Sequence, residues 1–347
     1  MTPSALATRD LTEFDVFNDH VAGYQKLGTL QILNDVKLDG KAKKRGWFLK
    51  NEDLKSADWT ASLTDFDKGS TIFDYQHKFG GVDSKFEGGI LFTQINVQIL
   101  YISPLAIEST REIKNYRPGI DLKPGTTIGP WGEPGPMEAW NADKAAADLA
   151  QSKGDKSYDR KYRIRTKYLV FILNKNKQRA HANPIVLTVK SLNGVDLSEK
   201  LKLFRKEMDC CWSKFKNFTA PMAMNDKFHA CTIFQPTLSD TVAGAHSNEI
   251  CGVESFEIPD YSTEEAAAAS IDRFLINTDE FQDSWAQREA YANFYEEHSK
   301  QTAGRLNGAH GIIEGVSMLP ASDDASTTTV DVVSTPTRDE LGADTTF

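Results

Sequence analysis

The sequence has no long hydrophobic run and few cysteines. Its longest apolar stretches, such as residues 168–173, fall far short of the ~20 residues that a membrane-spanning helix needs. The first residues also lack the apolar segment of a signal peptide. We therefore expect a soluble, cytoplasmic protein that does not associate with membranes. The chain has 347 residues and only four cysteines, too few for a disulfide framework, so we expect free thiols.

The sequence also lacks the short motifs of common enzyme classes. It contains no GxxxxGK[ST] phosphate-binding loop, no GxGxxG, no HExxH zinc motif and no GxSxG nucleophile motif. We therefore predict that the protein is not an enzyme and uses no cofactor. The nearest catalytic pattern is Glu112-Ile113-Lys114, which together with Asp83 matches part of a metal-dependent nuclease site. Nuclease activity is therefore kept as a second alternative.

The cysteines and two histidines raise the question of a zinc site. His229 and Cys231 are two residues apart and would share one face of a predicted strand. No CxxC pair supports such a site, and buried thiols beside ordinary histidines are the simpler interpretation. We predict no metal, and the sequence leaves zinc open for Cys210, Cys211, His229, Cys231, His246 and Cys251.

Acidic and basic residues are distributed unevenly along the chain. The formal net charge is −9, but residues 254–300 alone carry −9 and residues 323–347 carry −5. Residues 1–253 consequently carry +5. A basic body joined to an acidic C-terminal third suggests an anionic partner and a tail that shields the body or recruits other proteins.

Strand-like segments dominate the first two thirds of the chain. Runs rich in β-branched and aromatic residues predict strands at 27–33, 46–50, 71–77, 90–102, 161–173, 185–190 and 228–234. The alternation at 94–99 predicts one buried and one wet face. Helices are expected at 143–152, after Asp196 as N-cap, at 263–276 and at 279–300. The predicted class is β-rich α+β, with an OB-like or related β-barrel core, a helical C-terminal region and a disordered tail.

These elements suggest four regions. Residues 1–23 would form a loosely ordered N-terminus, and residues 24–235 a β-rich core. A Pro/Gly-rich arm at 117–155 interrupts this core, and its proline density argues against helix in its first part. Residues 236–312 would form an acidic helical region, and residues 313–347 a disordered acidic tail.

A basic strand is the most informative local pattern. In residues 161–167, strict alternation places Lys161, Arg163, Arg165 and Lys167 on one face, about 6.6 Å apart, a spacing similar to that of phosphates along an extended single strand. An exposed sheet edge protected by charge is the competing explanation. A second basic segment, residues 41–50, combines cations with aromatic residues that could stack on bases. The predicted nucleic-acid-binding residues are Lys43, Lys44, Arg45, Trp47, Trp131, Arg160, Lys161, Arg163, Arg165, Lys167, Lys175, Lys177 and Arg179.

Trp131 stands among prolines and glycines in the arm. It either packs back onto the core or presents an exposed stacking surface, and the first interpretation is favoured because aromatic residues usually become buried.

The acidic tail closed by Phe347 resembles the tails of bacterial and bacteriophage single-stranded DNA-binding proteins. In those proteins the tail recruits replication and repair partners and competes with DNA for the basic groove. The resemblance implies partner binding by Asp339, Glu340, Asp344 and Phe347. The segment 27–48 also resembles uncharacterised proteins of cyanobacteria and their mobile elements, which implies no activity.

The function predicted from these patterns is single-stranded DNA binding in replication or recombination, in a protein that a phage or mobile element could encode. Its partners would be single-stranded DNA and, through the tail, replication or recombination proteins, with homo-oligomerisation possible. The first alternative is a structural or assembly protein of a virion or scaffold, in which the basic strand and the aromatic helices contact other subunits. The sequence does not distinguish DNA from RNA.

Overall fold

A computed structural model describes residues 27–33, 45–66, 72–78, 86–117, 120–155, 158–239, 242–243 and 249–291. The predicted N-terminal region 1–23 and the predicted tail 313–347 therefore lie outside the described residues. No helix in the described ranges is both long and apolar enough to cross a membrane.

The described residues form short strands and six α-helices. The strands are β1 (Thr29–Leu33), β2 (Gly46–Lys50), β3 (Ile72–Lys78), β4 (Phe86–Phe92), β5 (Asn96–Ile102), β6 (Ala106–Ser109), β7 (Ile113–Arg117), β8 (Ile120–Leu122), β9 (Thr127–Pro130), β10 (Tyr162–Leu173), β11 (Ile185–Lys190), β12 (Ile233–Phe234), β13 (Pro236–Leu238), β14 (Val242–Ala243), β15 (Glu249–Ile250) and β16 (Val253–Phe256). The helices are α1 (Asn51–Ala57), α2 (Pro134–Ser152), α3 (Ser191–Phe215), α4 (Asp226–His229), α5 (Glu264–Phe274) and α6 (Phe281–Ala290). This arrangement confirms the predicted β-rich α+β class.

One large sheet organises the molecule. Its main path runs β12-β5-β10-β11-β1-β2-β4-β3, and β6 and β9 extend it beside the first half of β10. The pair β1 and β11 is parallel, and the other described pairs of this sheet are antiparallel. The sheet curls into about half a barrel. Three separate two-stranded pairs, β7-β8, β13-β16 and β14-β15, lie outside it.

The second half of β10 is covered on both faces. Tyr168, Val170 and Ile172 belong to the main core, together with apolar residues of α3 and α5. The alternate residues, Leu169, Phe171 and Leu173, belong to a second cluster with residues of β5 and β12. Because successive side chains of a strand point to opposite faces, β10 joins the two clusters. It is the central element of the fold.

The prediction that one face of β5 is exposed to solvent is wrong at Gln98. This side chain is fully buried, and its amide Nε2 donates to the Ala230 carbonyl and to the Ser284 hydroxyl, both at 2.8 Å. The covering residues follow α4 and belong to α6, far along the chain. A buried amide is tolerated because these partners satisfy its donors.

The segment predicted as one strand at 228–234 is mostly not a strand. Residues 226–229 form α4, whose N-cap Asn225 accepts a hydrogen bond from the Phe228 amide at 3.0 Å, and only Ile233–Phe234 pair with β5. The predicted strand 90–102 is likewise two strands, β4 and β5. The side-chain cap of Asn225 starts a helical turn that the apolar pattern does not reveal.

Two predicted helix starts are also wrong. Helix α3 begins at Ser191, so that Asp196 lies inside it instead of capping it, and buried Val195 extends the apolar face towards the start. Helix α2 begins at Pro134, inside the Pro/Gly-rich segment. Proline is favoured at the first helical position because its missing N–H would have no intrahelical partner there. The predicted start of the helix at residue 263 is confirmed within one residue, since α5 begins at Glu264 and the Thr263 hydroxyl accepts from the Ala266 amide at 3.1 Å as its N-cap.

Candidate nucleic-acid interface

The basic strand lies in the interior of the large sheet. β10 pairs with β11 on one side and with β6 and β5 on the other. From Arg165 onward β10 has a partner strand on each side, so the explanation as a charge-protected sheet edge is wrong for Arg165 and Lys167, whereas residues 162–164 pair with β6 alone. Cations in a central strand need another physical reason.

The nearest counter-charge is Glu108 of β6. Register places Arg163 opposite Glu108, and the Arg163 Nη2 atom donates to Glu108 Oε1 at 3.1 Å. The Arg165 Nε atom lies 3.0 Å from Glu108 Oε2. Only 1% of Glu108 is exposed. One buried carboxylate thus bridges two arginines of the predicted row.

Lys167 is the third cation of this group. It is 6% exposed, and no hydrogen bond or ion pair joins its ammonium group to another residue in the described part of the chain. Burial lowers the pKa of Lys167, the negative charge of Glu108 opposes that change, and the nearby arginines reinforce it. We call Arg163, Arg165, Lys167 and Glu108 the β10 charge cluster.

The β10 charge cluster carries a surplus of positive charge. Burial raises the pKa of Glu108, but Arg165, Arg163 and Lys167 together lower it below the ordinary 4.5, so the carboxylate is ionised at neutral pH. Burial lowers the pKa of Arg165 to about 10, which still leaves it charged. Three cations therefore face one anion. Because unpaired buried charge is unfavourable, an anionic ligand would stabilise this arrangement.

The two basic residues before β10 have different environments. Lys161 is exposed, at the end of the strand nearest the β10 charge cluster. Arg160 is 6% exposed and its Nε donates to Asp143 Oδ2 of α2 at 2.7 Å. Lys161 is therefore available to a ligand, whereas Arg160 helps to attach α2 to the sheet.

The remaining predicted cations lie beyond the other end of β10. The exposed Lys175 donates to the Thr64 carbonyl at 3.0 Å, and the Lys177 Nζ atom lies 3.7 Å from Asp272 Oδ1. Arg179 pairs with Asp283 of α6 and lies over the Phe171 ring, 4.1 Å from its centroid. β10 separates these residues from Lys161 by about 40 Å at ~3.3 Å per residue. The predicted nucleic-acid-binding residues at the two ends of β10 therefore do not form one continuous surface.

The basic segment before β2 is described only in part. Lys43 and Lys44 lie outside the described residues, and Arg45 is half-buried at the start of β2. Trp47 is fully buried in the main core, so in this conformation its ring offers no surface for a base. β11 and β1 separate β2 from β10 in the sheet.

Trp131 packs back onto the folded core. It is half-buried, contacts the cluster formed by β6, β10 and α2, and meets the Trp140 ring edge to face, with centroids 5.1 Å apart. This confirms the favoured interpretation of Trp131 as a packing residue.

The other candidate sites gain no geometric support. Glu112 and Lys114 are exposed, and Asp83 and His246 lie outside the described residues. His229 and Cys231 do not share a strand face, because one ends α4 and the other follows in a turn. Within the described ranges, no group of three or more His, Cys, Asp or Glu residues could hold a metal. The predicted partner-binding residues Asp339, Glu340, Asp344 and Phe347 also lie outside these ranges.

Sequence reasoning missed the two buried carboxylates of the site. Glu108 lies in the short strand Ala106–Ser109, and its inward position follows only from pairing with β10. Asp143 lies within α2 and accepts hydrogen bonds from Arg160, from the Tyr158 hydroxyl and from the Lys161 amide. A lone acid among apolar residues in Ala106-Ile107-Glu108 was the one available signal.

Comparison with known proteins gives one similarity. Residues 146–306 match a family described as a domain of unknown function (DUF5895). The match begins within α2 and includes β10 and β11, but not their sheet neighbours β1, β5 and β6. No curated protein and no solved structure matches the chain.

Proposed function

We propose that the protein binds single-stranded DNA through Lys161 and the β10 charge cluster. The observation that carries this proposal is the surplus of cations on one face of a central strand, where three basic side chains surround one buried carboxylate. Phosphate groups are the ligands that such a surplus attracts, and Lys161 would extend the contact to a second phosphate.

The curled sheet supports the proposal in a general way. OB-folds bind single strands on a curved strand face with long loops, and we propose that this sheet serves in the same manner. Its described strands form an open path from β12 to β3. An OB-like core therefore stays a prediction.

Lys161 provides a direct test, with Lys175 as its matched control. Both lysines are exposed, at opposite ends of β10. We expect Lys161→Glu to weaken binding of a fluorescent oligothymidine several-fold at low salt. The slope of log affinity against log salt should also fall in magnitude by about 0.7, because one phosphate contact is lost. Lys175→Glu should leave both quantities close to those of the wild type.

The outcomes of this titration separate three situations. Equal losses in the two variants would show general charge attraction without the proposed site. An absence of binding by the unaltered protein would refute the function itself. Duplex DNA and RNA of the same length, titrated in parallel, decide the class of nucleic acid.

The acidic tail supplies a second test of the proposal. The segment 323–347 carries −5, and tethering places it near the basic body at an effective concentration on the order of millimolar. Deleting it should tighten single-strand binding, more at low salt than at high salt because salt screens the competition. Deleting Phe347 alone should leave DNA affinity unchanged and weaken capture of a replication or recombination partner. Unchanged DNA affinity after the long deletion would contradict this role of the tail.

Two exposed apolar side chains favour an assembly protein as the second candidate. Phe218 and Met222 lie in the loop between α3 and α4, with 46% and 55% of their surface exposed. Ser213 anchors this loop at two points, since its carbonyl accepts from the Phe218 amide and its hydroxyl accepts from the Met222 amide. A fixed loop that presents apolar groups suits a subunit contact. Concentration-dependent self-association in sedimentation, lost in Phe218→Ser, would favour this candidate.

A further inference from the structure

A cavity lies beside β5, and no residue of the β10 charge cluster lines it. Its volume is about 240 Å³. The lining residues are Leu100, Tyr101, Ile102, Arg205, Asp226 and Arg288. They come from β5, α3, α4 and α6. Because β12 pairs with β5 only at Val97 and Gln98, residues 100–102 lie beyond the last pair. The cavity opens at this uncovered end of the strand.

The two arginines of the cavity have different partners. The Arg288 Nη2 atom donates to Asp226 Oδ2 at 2.8 Å, and its guanidinium lies over the Trp285 ring, 4.8 Å from the centroid. Arg205 makes no hydrogen bond or ion pair with another described residue. Burial lowers the pKa of Arg205, against the attraction of Asp226. A half-buried guanidinium without a direct counter-ion therefore faces the cavity.

Two neighbouring titratable side chains do not neutralise Arg205. Tyr168 and His229 lie close enough to Arg205 to feel its charge. Burial raises the pKa of Tyr168, and a hydrogen bond with Ser198 and the charge of Arg205 oppose that change. Burial lowers the pKa of His229 to about 4, and the charge of Arg205 reinforces that change. Both side chains are therefore neutral at physiological pH and supply no counter-charge to Arg205.

The acids of this region leave the cavity positive. Asp226 is the one acid among the lining residues, and Arg288 already pairs with it. Asp209 does not line the cavity, and its Oδ1 accepts from the Met224 amide at 3.0 Å and lies 3.3 Å from His229 Nε2. His229 is neutral at physiological pH, because burial lowers its pKa to about 4. The Lys227 ammonium group also lies over the Trp285 ring, 5.2 Å from its centroid, and adds positive charge to this region.

We propose that this cavity binds a small oxyanion, a phosphate or carboxylate group, between Arg205 and Arg288. Guanidinium groups are suited to this role because their planar donors match two oxygens of one anion. The volume is below the ~300–1,000 Å³ of sites for drug-sized ligands, which fits one anionic group or a small molecule that carries it. The site is independent of the proposed DNA interface and shares no residue with it.

The experiment is a thermal-denaturation titration of the full chain with inorganic phosphate and, separately, acetate. Sodium chloride keeps the ionic strength constant. We expect a saturable rise in Tm with at least one anion, roughly 5 °C at about 100 times the dissociation constant. A response to phosphate alone, acetate alone or both identifies the group that the site prefers.

Matched variants locate the effect. Arg205→Gln and Arg288→Gln should each weaken anion binding, so that at least ten times more anion is needed to produce the same rise in Tm. Arg273→Gln is the control. Arg273 also pairs with a carboxylate, that of Glu257 at 3.2 Å, and lies over the Phe274 ring, but it does not line the cavity. It should respond like the wild type. Arg288→Gln decides the question should Arg205→Gln fail to fold.

Three results would overturn the proposal. The first is a wild-type response no greater than that to chloride. The second is an unchanged response in the Arg288→Gln variant, and the third is an equal loss in Arg273→Gln. Lys161→Glu should keep the full response to phosphate, so a failure of the DNA proposal leaves this one standing and the reverse also holds.

Discussion

At the scale of single residues, Glu108 controls the charge of the basic strand. It is buried and holds Arg163 and Arg165 at hydrogen-bonding distance. Without it, three cations would lie together in a region of low dielectric. Glu108 thus makes the basic row compatible with a central strand while leaving it positive.

Replacing Glu108 by glutamine tests this balance. We expect Glu108→Gln to lower the free energy of unfolding by about 3–5 kcal/mol, because the arginines lose their buried counter-charge. Urea unfolding at pH 7 measures the change. Glu87→Gln is the control. Glu87 pairs with Lys50, and 43% of the Glu87 side chain is exposed, so the free energy of unfolding should fall by no more than about 1 kcal/mol.

The pH dependence gives an independent check. Since the pKa of Glu108 is lowered in the folded protein, its contribution to stability is present above pH 4.5 and is lost as the pH falls through the folded value. The Glu108→Gln variant should lack this part of the acid sensitivity. Similar losses in the Glu108 and Glu87 variants at pH 7 would contradict the assigned role.

At the scale of elements, α2 is attached to the sheet by one carboxylate. Asp143 is 5% exposed and accepts from Arg160, the Tyr158 hydroxyl and the Lys161 amide, at distances from 2.7 to 3.0 Å. These donors lie just before β10. The segment 117–155, predicted to form an arm, is therefore joined through α2 to the start of the basic strand.

Removing this carboxylate should loosen the helix. We expect Asp143→Ala to increase amide hydrogen exchange across 134–152 by at least tenfold, since several donors, one of them charged, lose their acceptor. Asp148→Ala removes only an exposed pair with Lys144 on the same helix and should change exchange little. Equal protection of α2 in both variants would show that packing alone holds it.

At the scale of the whole molecule, burial of neutral histidines sets the response to acid. His181 is 1% exposed; its Nε2 accepts from the Ile172 amide at 2.9 Å, and its Nδ1 lies 2.7 Å from the Asn183 carbonyl. Burial lowers its pKa to about 4, from an ordinary 6.5. Protonation of Nε2 would break the bond to β10.

The histidine pKa predicts a pH window of instability. Because the folded pKa lies below the unfolded one, the contribution of His181 is complete above pH 6.5 and is lost as the pH falls towards 4. We expect the free energy of unfolding to be lower by about 2 kcal/mol at pH 5 than at pH 7.5 from this residue alone. Urea titrations at the two pH values measure the loss. The same loss in His181→Asn would assign it to other groups.

Local sequence patterns determined much of the secondary structure. Strands 46–50 and 185–190 lie where their apolar, β-branched and aromatic residues predict them, and α5 begins within one residue of the predicted start at 263. The alternation of basic residues in 161–167 likewise placed Arg163 and Arg165 on one face, since both reach Glu108. These features depend on residues adjacent in sequence, so periodicity and capping suffice to find them.

Tertiary structure decided which of these surfaces are covered and which charges are paired. Gln98 is buried against hydrogen-bond partners that follow it by 132 and 186 positions in the sequence. Arg163 and Glu108, which pair in the fold, are 55 positions apart in the sequence. The cavity beside β5 likewise joins residues of β5, α3, α4 and α6. A strand pattern fixes the alternation of side chains but not the strand that lies next to it. Burial, counter-charge and cavities depend on that neighbour, which only the folded chain supplies.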